Sequence, residues 1–224
     1  MILPSEYYVE KLYPLQDGVL NILSRSGTNF FLTGGTALSR GYYNHRYSDD
    51  LDFFLDNSQT YNDQVNEALD RLKEGELVWD EENDFVKAKE FTTLKVGYKD
   101  SDVLLKLDFV NDLVPHFHGI QKTDLFYRTD SILNILSNKL SAIYRYAAKD
   151  VVDIWAIAKH ETINWPEIIR EARQKEGGFE VTYACEILKG IPQEKFESIA
   201  WIEKPDWSTF CEDIRQIVNE MLVG

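Results

Sequence analysis

The chain reads as an α+β protein: a sheet with flanking helices, followed by a helical C-terminal half. Three observations predict it. Short β-prone runs separated by turn-forming residues recur between residues 30 and 110. Helical patterns at residues 5–24 and 61–74 flank and interrupt those runs. From about residue 129 the spacing of apolar residues is helical throughout. The expected boundary falls near residue 125, giving an α/β half, residues 1–125, and a helical half, residues 126–224, that closes a cleft.

The elements follow in order. Tyr8, Leu12, Leu15, Val19, Leu20 and Leu23 lie near helical spacing and mark a packing helix without chemistry of its own. Phe30, Phe31 and Leu32 form a short strand that stops at Gly34-Gly35, and residues 36–43 fit one short helix that Thr36 can cap. The chain then turns and re-enters a strand over residues 50–55. Residues 61–74 are predicted as a helix with Val65, Leu69 and Leu72 inward, ended by Gly75. Residues 77–79, 85–90 and 93–98 are predicted as antiparallel hairpins, and the acidic turn at 80–84 as a solvated loop. In residues 103–110, Val103, Leu105, Leu107 and Phe109 make one face, and Leu104, Lys106, Asp108 and Val110 the other. Helices then follow over residues 132–143, capped by Asp130 or Ser131, and over 151–158, 165–175, 179–188 and 207–222.

Composition bounds the function. At 224 residues the chain has ample material for a buried core. No apolar run approaches the ~20 residues that span a bilayer. The start, MILPSEYYVEKLYPL, lacks a basic region followed by an apolar core, so a cytoplasmic protein without membrane association is expected. Cys185 and Cys211 are too few for a disulfide framework or a thiolate metal site. A net charge of −14 argues against a broad nucleic-acid footprint, though not against a local basic groove.

The stretch NFFLTGGTALSRGYYNHRYSDDLDFFL, residues 29–55, carries the chemistry. Strand alternation sets Asp50 and Asp52 on one face and Leu51 and Phe53 on the other. Two carboxylates so placed repel each other unless a cation sits between them. A hard divalent cation takes oxygen ligands, usually one or two carboxylates plus substrate phosphates. The two glycines leave room for a phosphate near the backbone, and the following helix start offers N–H groups. Alone, Gly-Gly is a turn and Asp-x-Asp a solvated strand end; in order and at short spacing they read as one site.

This combination resembles the DNA polymerase β-like nucleotidyltransferase superfamily. More closely, GGTALSR followed by HRYSDDLDFF is similar to the AbiEii/AbiGii toxin family of nucleotidyltransferases, which includes the MenT-type toxins. The resemblance implies a nucleotidyltransferase-type mixed sheet in the first half. It implies a third carboxylate on a neighbouring strand, a part that Asp108 fits, with Asp112 a weaker rival. It also extends to a helical signature in KLSAIYRYAAKDVVD, matched by Lys139, Ala142, Arg145, Asp150 and Asp153. On a continuous helix at 100° per residue, Lys139 and Asp150 lie within about 20° and Asp153 about 40° to the other side. The alternative is a solvated face with ordinary ion pairs. The likeness covers residues 30–160; the last sixty or so match no known pattern.

The resulting expectation is a two-lobed, metal-dependent nucleotidyltransferase that moves NMP from an NTP to an acceptor hydroxyl. Two Mg²⁺ (or Mn²⁺) ions held by Asp50, Asp52 and Asp108 would bridge the triphosphate, with Asp108 helping to deprotonate the hydroxyl. Gly34, Gly35, Thr36, Arg46 and Ser48 would bind the nucleotide, and Lys139, read as an exposed side chain, would neutralise developing charge. Asp153 would orient Lys139 or the acceptor. The resemblance implies a toxin of a toxin–antitoxin or abortive-infection system, with a cognate antitoxin as partner. It further implies an RNA acceptor, the 3′ end of tRNA; the local residues Arg40, His45, Arg46, Lys122, Arg128, Arg145 and Lys149 offer a small basic patch that permits it without demanding it. The alternatives are an aminoglycoside-type small-molecule nucleotidyltransferase and a non-catalytic binding domain of the same fold. His45 reads as a packing or hydrogen-bonding residue, and His116 and His118 as loop residues for which no third zinc ligand appears.

Overall fold

The computed structural model describes residues 4–223. Apolar residues at helical spacing first build α1 (Pro4–Tyr7), a π-helical stretch (Tyr8–Leu12) and α2 (Tyr13–Leu23), which bury Leu12, Leu15, Val19, Leu20 and Leu23. Strand β1 (Phe31–Thr33) then runs directly into α3 (Gly34–Leu38) and a second π-helical stretch (Ser39–Tyr43). Thr33 takes the N-cap position without a side-chain capping bond, its hydroxyl donating instead to Asp130, so Thr36 lies inside the helix rather than capping it. Asn44 ends this segment in the left-handed region, which asparagine tolerates. After it come β2 (Leu51–Asp56) and α4 (Tyr61–Glu74), then β3 (Leu77–Val78), β4 (Phe85–Lys87), β5 (Phe91–Tyr98) and β6 (Leu105–Asp112).

Among the described residues these six strands form one sheet in the order β1-β2-β6-β5-β3, with β4 also on β5. The pairing of β2 with β6 is parallel and the others are antiparallel, so the sheet is mixed as expected. Burial alternates residue by residue along β6 and along β2 up to Leu55. On the inner face Phe53 stacks on Phe109 with centroids 5.4 Å apart, Phe30 meets Phe109 edge-on, and Phe126 closes over Phe53. Each such fully buried ring contributes about 1.5–3 kcal/mol. The buried Tyr61 hydroxyl donates to the Phe109 carbonyl at 2.9 Å, tying α4 to β6.

The chain divides into two compact units. The first comprises residues 1–114 and 120–130, the second residues 115–119 and 131–224. Residues 120–130 join the first unit because Leu32 bridges Thr129, with its N–H on the Arg128 carbonyl and its carbonyl accepting from Asp130 N.

The second unit is helical: α5 (Ile132–Ser141), a 3₁₀ turn (Ile143–Arg145), α6 (Ala148–His160), α7 (Trp165–Lys175), α8 (Val181–Lys189), α9 (Gln193–Glu197) and α10 (Trp207–Val223). Pro166 near the start of α7 supplies a preset φ where no intrahelical donor is needed. Phe196 of the short α9 fills an aromatic cluster with Trp201, Trp207 and Phe210. That element was not predicted, since one turn carries too little periodicity to read. Tyr146, at φ 56°, breaks the chain between α5 and α6. The continuous helix assumed across residues 139–153 is therefore two helices.

No helix among the described residues is long and apolar enough to cross a membrane. Ser131, not Asp130, caps α5, its hydroxyl accepting from Asn134 N at 3.2 Å. Ser131→Ala should cost about 1 kcal/mol. Urea unfolding measures it, and an unchanged midpoint would remove the cap from the account of α5.

Candidate functional site

In the first unit the motif residues close on one another. Gly34 sits at φ +71°, and a Cβ there would collide with Oδ2 of Asp52 and lie 3.0 Å from its Cγ. Only glycine combines that backbone with that approach. A Cβ on Gly35 would fall 2.5 Å from Nη2 of Arg46 and 3.2 Å from Oγ of Ser48. The room that the glycines leave is thus filled by the motif's own acid, base and hydroxyl. Arg46 is buried, with Nη1 donating to the Tyr47 carbonyl at 2.9 Å and its own carbonyl accepting from the Ser39 hydroxyl. Thr36, also buried, donates its hydroxyl to the Asp50 carbonyl.

The turn before Asp50 is held from α2. Gln16, fully buried, donates through Nε2 to the carbonyls of Ser48 at 3.0 Å and Asp49 at 3.2 Å. Arg40 donates to Gln16 Oε1 at 3.0 Å, pairs with Asp17 at 2.7 Å and lies over the Tyr13 ring. Tyr8 donates to Asp49 at 2.5 Å and stacks on Tyr47. Burial, followed by the hydrogen bond to Asp49, raises the Tyr8 pKa far above that of an ordinary phenol.

Parallel pairing sets Asp52 directly beside Asp108. Both stand on the half-buried face, opposite the aromatic core. Asp112 pairs with Asp56 at the far end of the strands and so lies away from this group. Both oxygens of Asp108 are engaged: Oδ1 accepts from Thr93 Oγ1 at 2.6 Å, and Oδ2 meets Lys106 Nζ at 2.5 Å. Burial disfavours the ammonium of Lys106, but Asp108, then Asp50 and Asp52, outweigh it and raise the lysine's pKa. Lys106 therefore feels all three carboxylates. The sequence had placed it only on the strand face that carries Asp108.

The oxygen-only set of Asp50, Asp52 and Asp108 suits a hard divalent cation. Among the described residues, no three acidic, histidine or cysteine side chains already converge at metal-binding range. At Asp108 one oxygen is held by Thr93 and the other by Lys106.

The remaining expected residues lie in the second unit. Lys139 is buried rather than exposed, with Nζ 2.8 Å from Asp150 Oδ1 and 2.7 Å from Asp153 Oδ2. Arg145 grips Asp150 with two bonds, at 2.5 Å and 2.7 Å. The three residues meet because α5 and α6 pack together, not because they share one helix face. Burial pushes the Asp150 carboxyl up, but Lys139 and Arg145 prevail and hold it below the ordinary carboxylate range. His118 lies in a loop, with Nε2 3.0 Å from Glu171 Oε1. Of the expected basic patch, Arg46 is buried, while Arg40 and Arg145 are committed to ion pairs. Gln16, Thr93 and Lys106 were not predicted as site residues; only the Lys-x-Asp alternation on β6 offered a signal.

A family model described as nucleotidyl transferase AbiEii toxin, type IV toxin–antitoxin system, matches residues 19–220. It therefore extends into C-terminal helices that showed no recognisable pattern in the sequence. Among curated proteins, none matches the chain. Three solved structures share its fold. The crystal structure of JHP933 from Helicobacter pylori aligns with a TM-score of 0.64 at 19% identity, over 99% of this chain and 93% of that one. A putative nucleotidyltransferase from the same organism aligns at 0.63 and 19% identity, over 97% and 95%. MenT4, a nucleotidyltransferase toxin from Mycobacterium tuberculosis, aligns at 0.63 and 15% identity, over 98% and 85%.

Removing Lys139 would leave Asp150 and Asp153 buried with one cation fewer. Lys139→Met should therefore lower stability by about 3 kcal/mol or more, read as a fall in melting temperature; an unchanged melt would contradict the buried pairing. The depressed Asp150 pKa adds a pH signature. Its stabilisation is fully present above the unfolded aspartate value of about 3.9 and is lost as pH falls through the lower folded value. Acid unfolding of Lys139→Met should accordingly show a weaker pH dependence in that window than the wild type.

Proposed function

Because the chain belongs to the AbiEii family of nucleotidyltransferase toxins, we propose that it transfers NMP from an NTP to a hydroxyl of RNA, at the 3′ end of tRNA. The observation that carries the reading is the register of β2 on β6, which brings Asp52 beside Asp108 next to the Gly34 turn. Toxin–antitoxin membership implies a cognate antitoxin.

In this reading Asp50 and Asp52 hold a divalent cation, Mg²⁺ or Mn²⁺, with Asp108 as the third carboxylate of the face. Bound there, the ion would supply charge neutralisation for the triphosphate and the leaving pyrophosphate. The chain's own residues do the rest. Thr36 and Gln16 fix the backbone on either side of the turn into β2, so the two aspartates arrive preset. Thr93 orients the Asp108 carboxylate. The acceptor O–H bond breaks as its oxygen bonds to the α-phosphorus, the proton passing to Asp108, and the bond from that phosphorus to pyrophosphate breaks. Gly35, Arg46 and Ser48 form one packed group at the phosphate side, and Arg46 supplies positive charge there. The buried pairing of Lys139 makes its first duty the integrity of its own helical unit.

Asp52→Asn keeps the shape of the side chain while removing its charge. Incubated with Mg²⁺, labelled NTPs and total tRNA, the wild type should label tRNA, and Asp52→Asn should do so on the order of 10²-fold less, with an unchanged melting temperature. Label confined to a small molecule under every NTP would replace the RNA reading with the small-molecule one. Equal labelling by the variant would remove Asp52 from the site.

A further inference from the structure

Strand β6 carries its own cation into the acidic face. Lys106 precedes Asp108 by two residues, so alternation sets both on the same side. Its Nζ lies 2.5 Å from Asp108 Oδ2, and that side chain is only 14% exposed. The other oxygen of Asp108 is taken by Thr93 at 2.6 Å. Thr93 is also the residue opposite Asp108 in the β5–β6 register, so the bond is fixed by strand pairing. Across the parallel pair, Leu51 stands opposite Leu107 and Asp52 opposite Asp108, which brings Asp50 and Asp52 alongside the 106–108 segment. The ammonium is thus paired with Asp108 on the face that Asp52 and Asp50 share, while its side chain remains 41% exposed.

A second metal ion bridging to Asp108 would have to evict this ammonium, leaving a lysine charge against a divalent ion. One metal ion has no such conflict, since hard divalent ions commonly take one or two carboxylates plus substrate phosphates, and Asp50 and Asp52 supply those carboxylates. Lysine is a compact point charge with three donors; two of them remain for phosphate oxygens when one is held by Asp108.

We propose that Lys106 takes the place of a second metal ion: it stays on Asp108, donates to the phosphates of the bound NTP, and leaves the protein with one divalent cation per bound nucleotide. The inference rests on the reading of this face as the NTP site.

Counting bound Mn²⁺ by electron paramagnetic resonance tests it, using the full chain with each nucleoside α,β-methylene triphosphate. The expected count is one ion per chain in the wild type and in Lys106→Arg, and two in Lys106→Met, where Asp108 is released. Melting curves confirm that the variants are folded. Two ions in the wild type overturn the proposal without any variant, and so does a single ion in folded Lys106→Met. Asp52→Ala should lose the protein-held ion. If it keeps that ion at wild-type affinity, the reading of the acidic face as the NTP site falls, and this proposal with it.

Discussion

The parallel pairing of β2 with β6 is the constraint on which the rest of the first unit depends. One register places Phe53 against Phe109 on the inner face and Asp52 against Asp108 on the outer one. A slip of one residue would exchange the faces, burying carboxylates and exposing the aromatic core. Core packing and site assembly are therefore a single choice. The hydrophobic face supplies the energy, and the acidic face is held in place by it at no further conformational cost. The Gly34 turn follows from the adjoining β1–β2 register, since Thr33 pairs with Asp52 and the next residue must pass against that side chain.

The second unit is built around a different constraint. Lys139, Asp150 and Asp153 are all buried, so their charges are tolerable only together. Two helices must dock in one arrangement to satisfy them, which makes the group a specifier of how α5 meets α6.

Much of this was legible in the sequence. Helices α4 and α7 begin and end where periodicity, Gly75 and the Trp165-Pro166 start place them. The alternation in residues 105–110 gave the faces of β6 correctly, and with them Asp108. Other features were hidden for physical reasons. Gln16 acts on a turn more than thirty residues away, and no local pattern announces a side chain that clamps distant carbonyls. Thr36 looked like a helix cap because threonine caps helices, but the glycine before it lets the helix begin earlier. The wheel that united Lys139 with Asp150 presumed an unbroken helix; Tyr146 interrupts it, and tertiary packing brings the same residues together by another route. Lys106 was visible on the strand face of Asp108, but the nearness of Asp50 and Asp52 depends on a strand pairing that sequence does not display.

The central claim, nucleotide addition to tRNA by the Asp50–Asp52–Asp108 face, is met most directly by intact-mass spectrometry of tRNA from cells induced to express the protein. The expected result is tRNA heavier by one or more nucleotide residues at the 3′ end, absent when Asp52→Asn is expressed at the same level. Identical tRNA masses from the two cultures, with the wild-type protein folded and abundant, would contradict it.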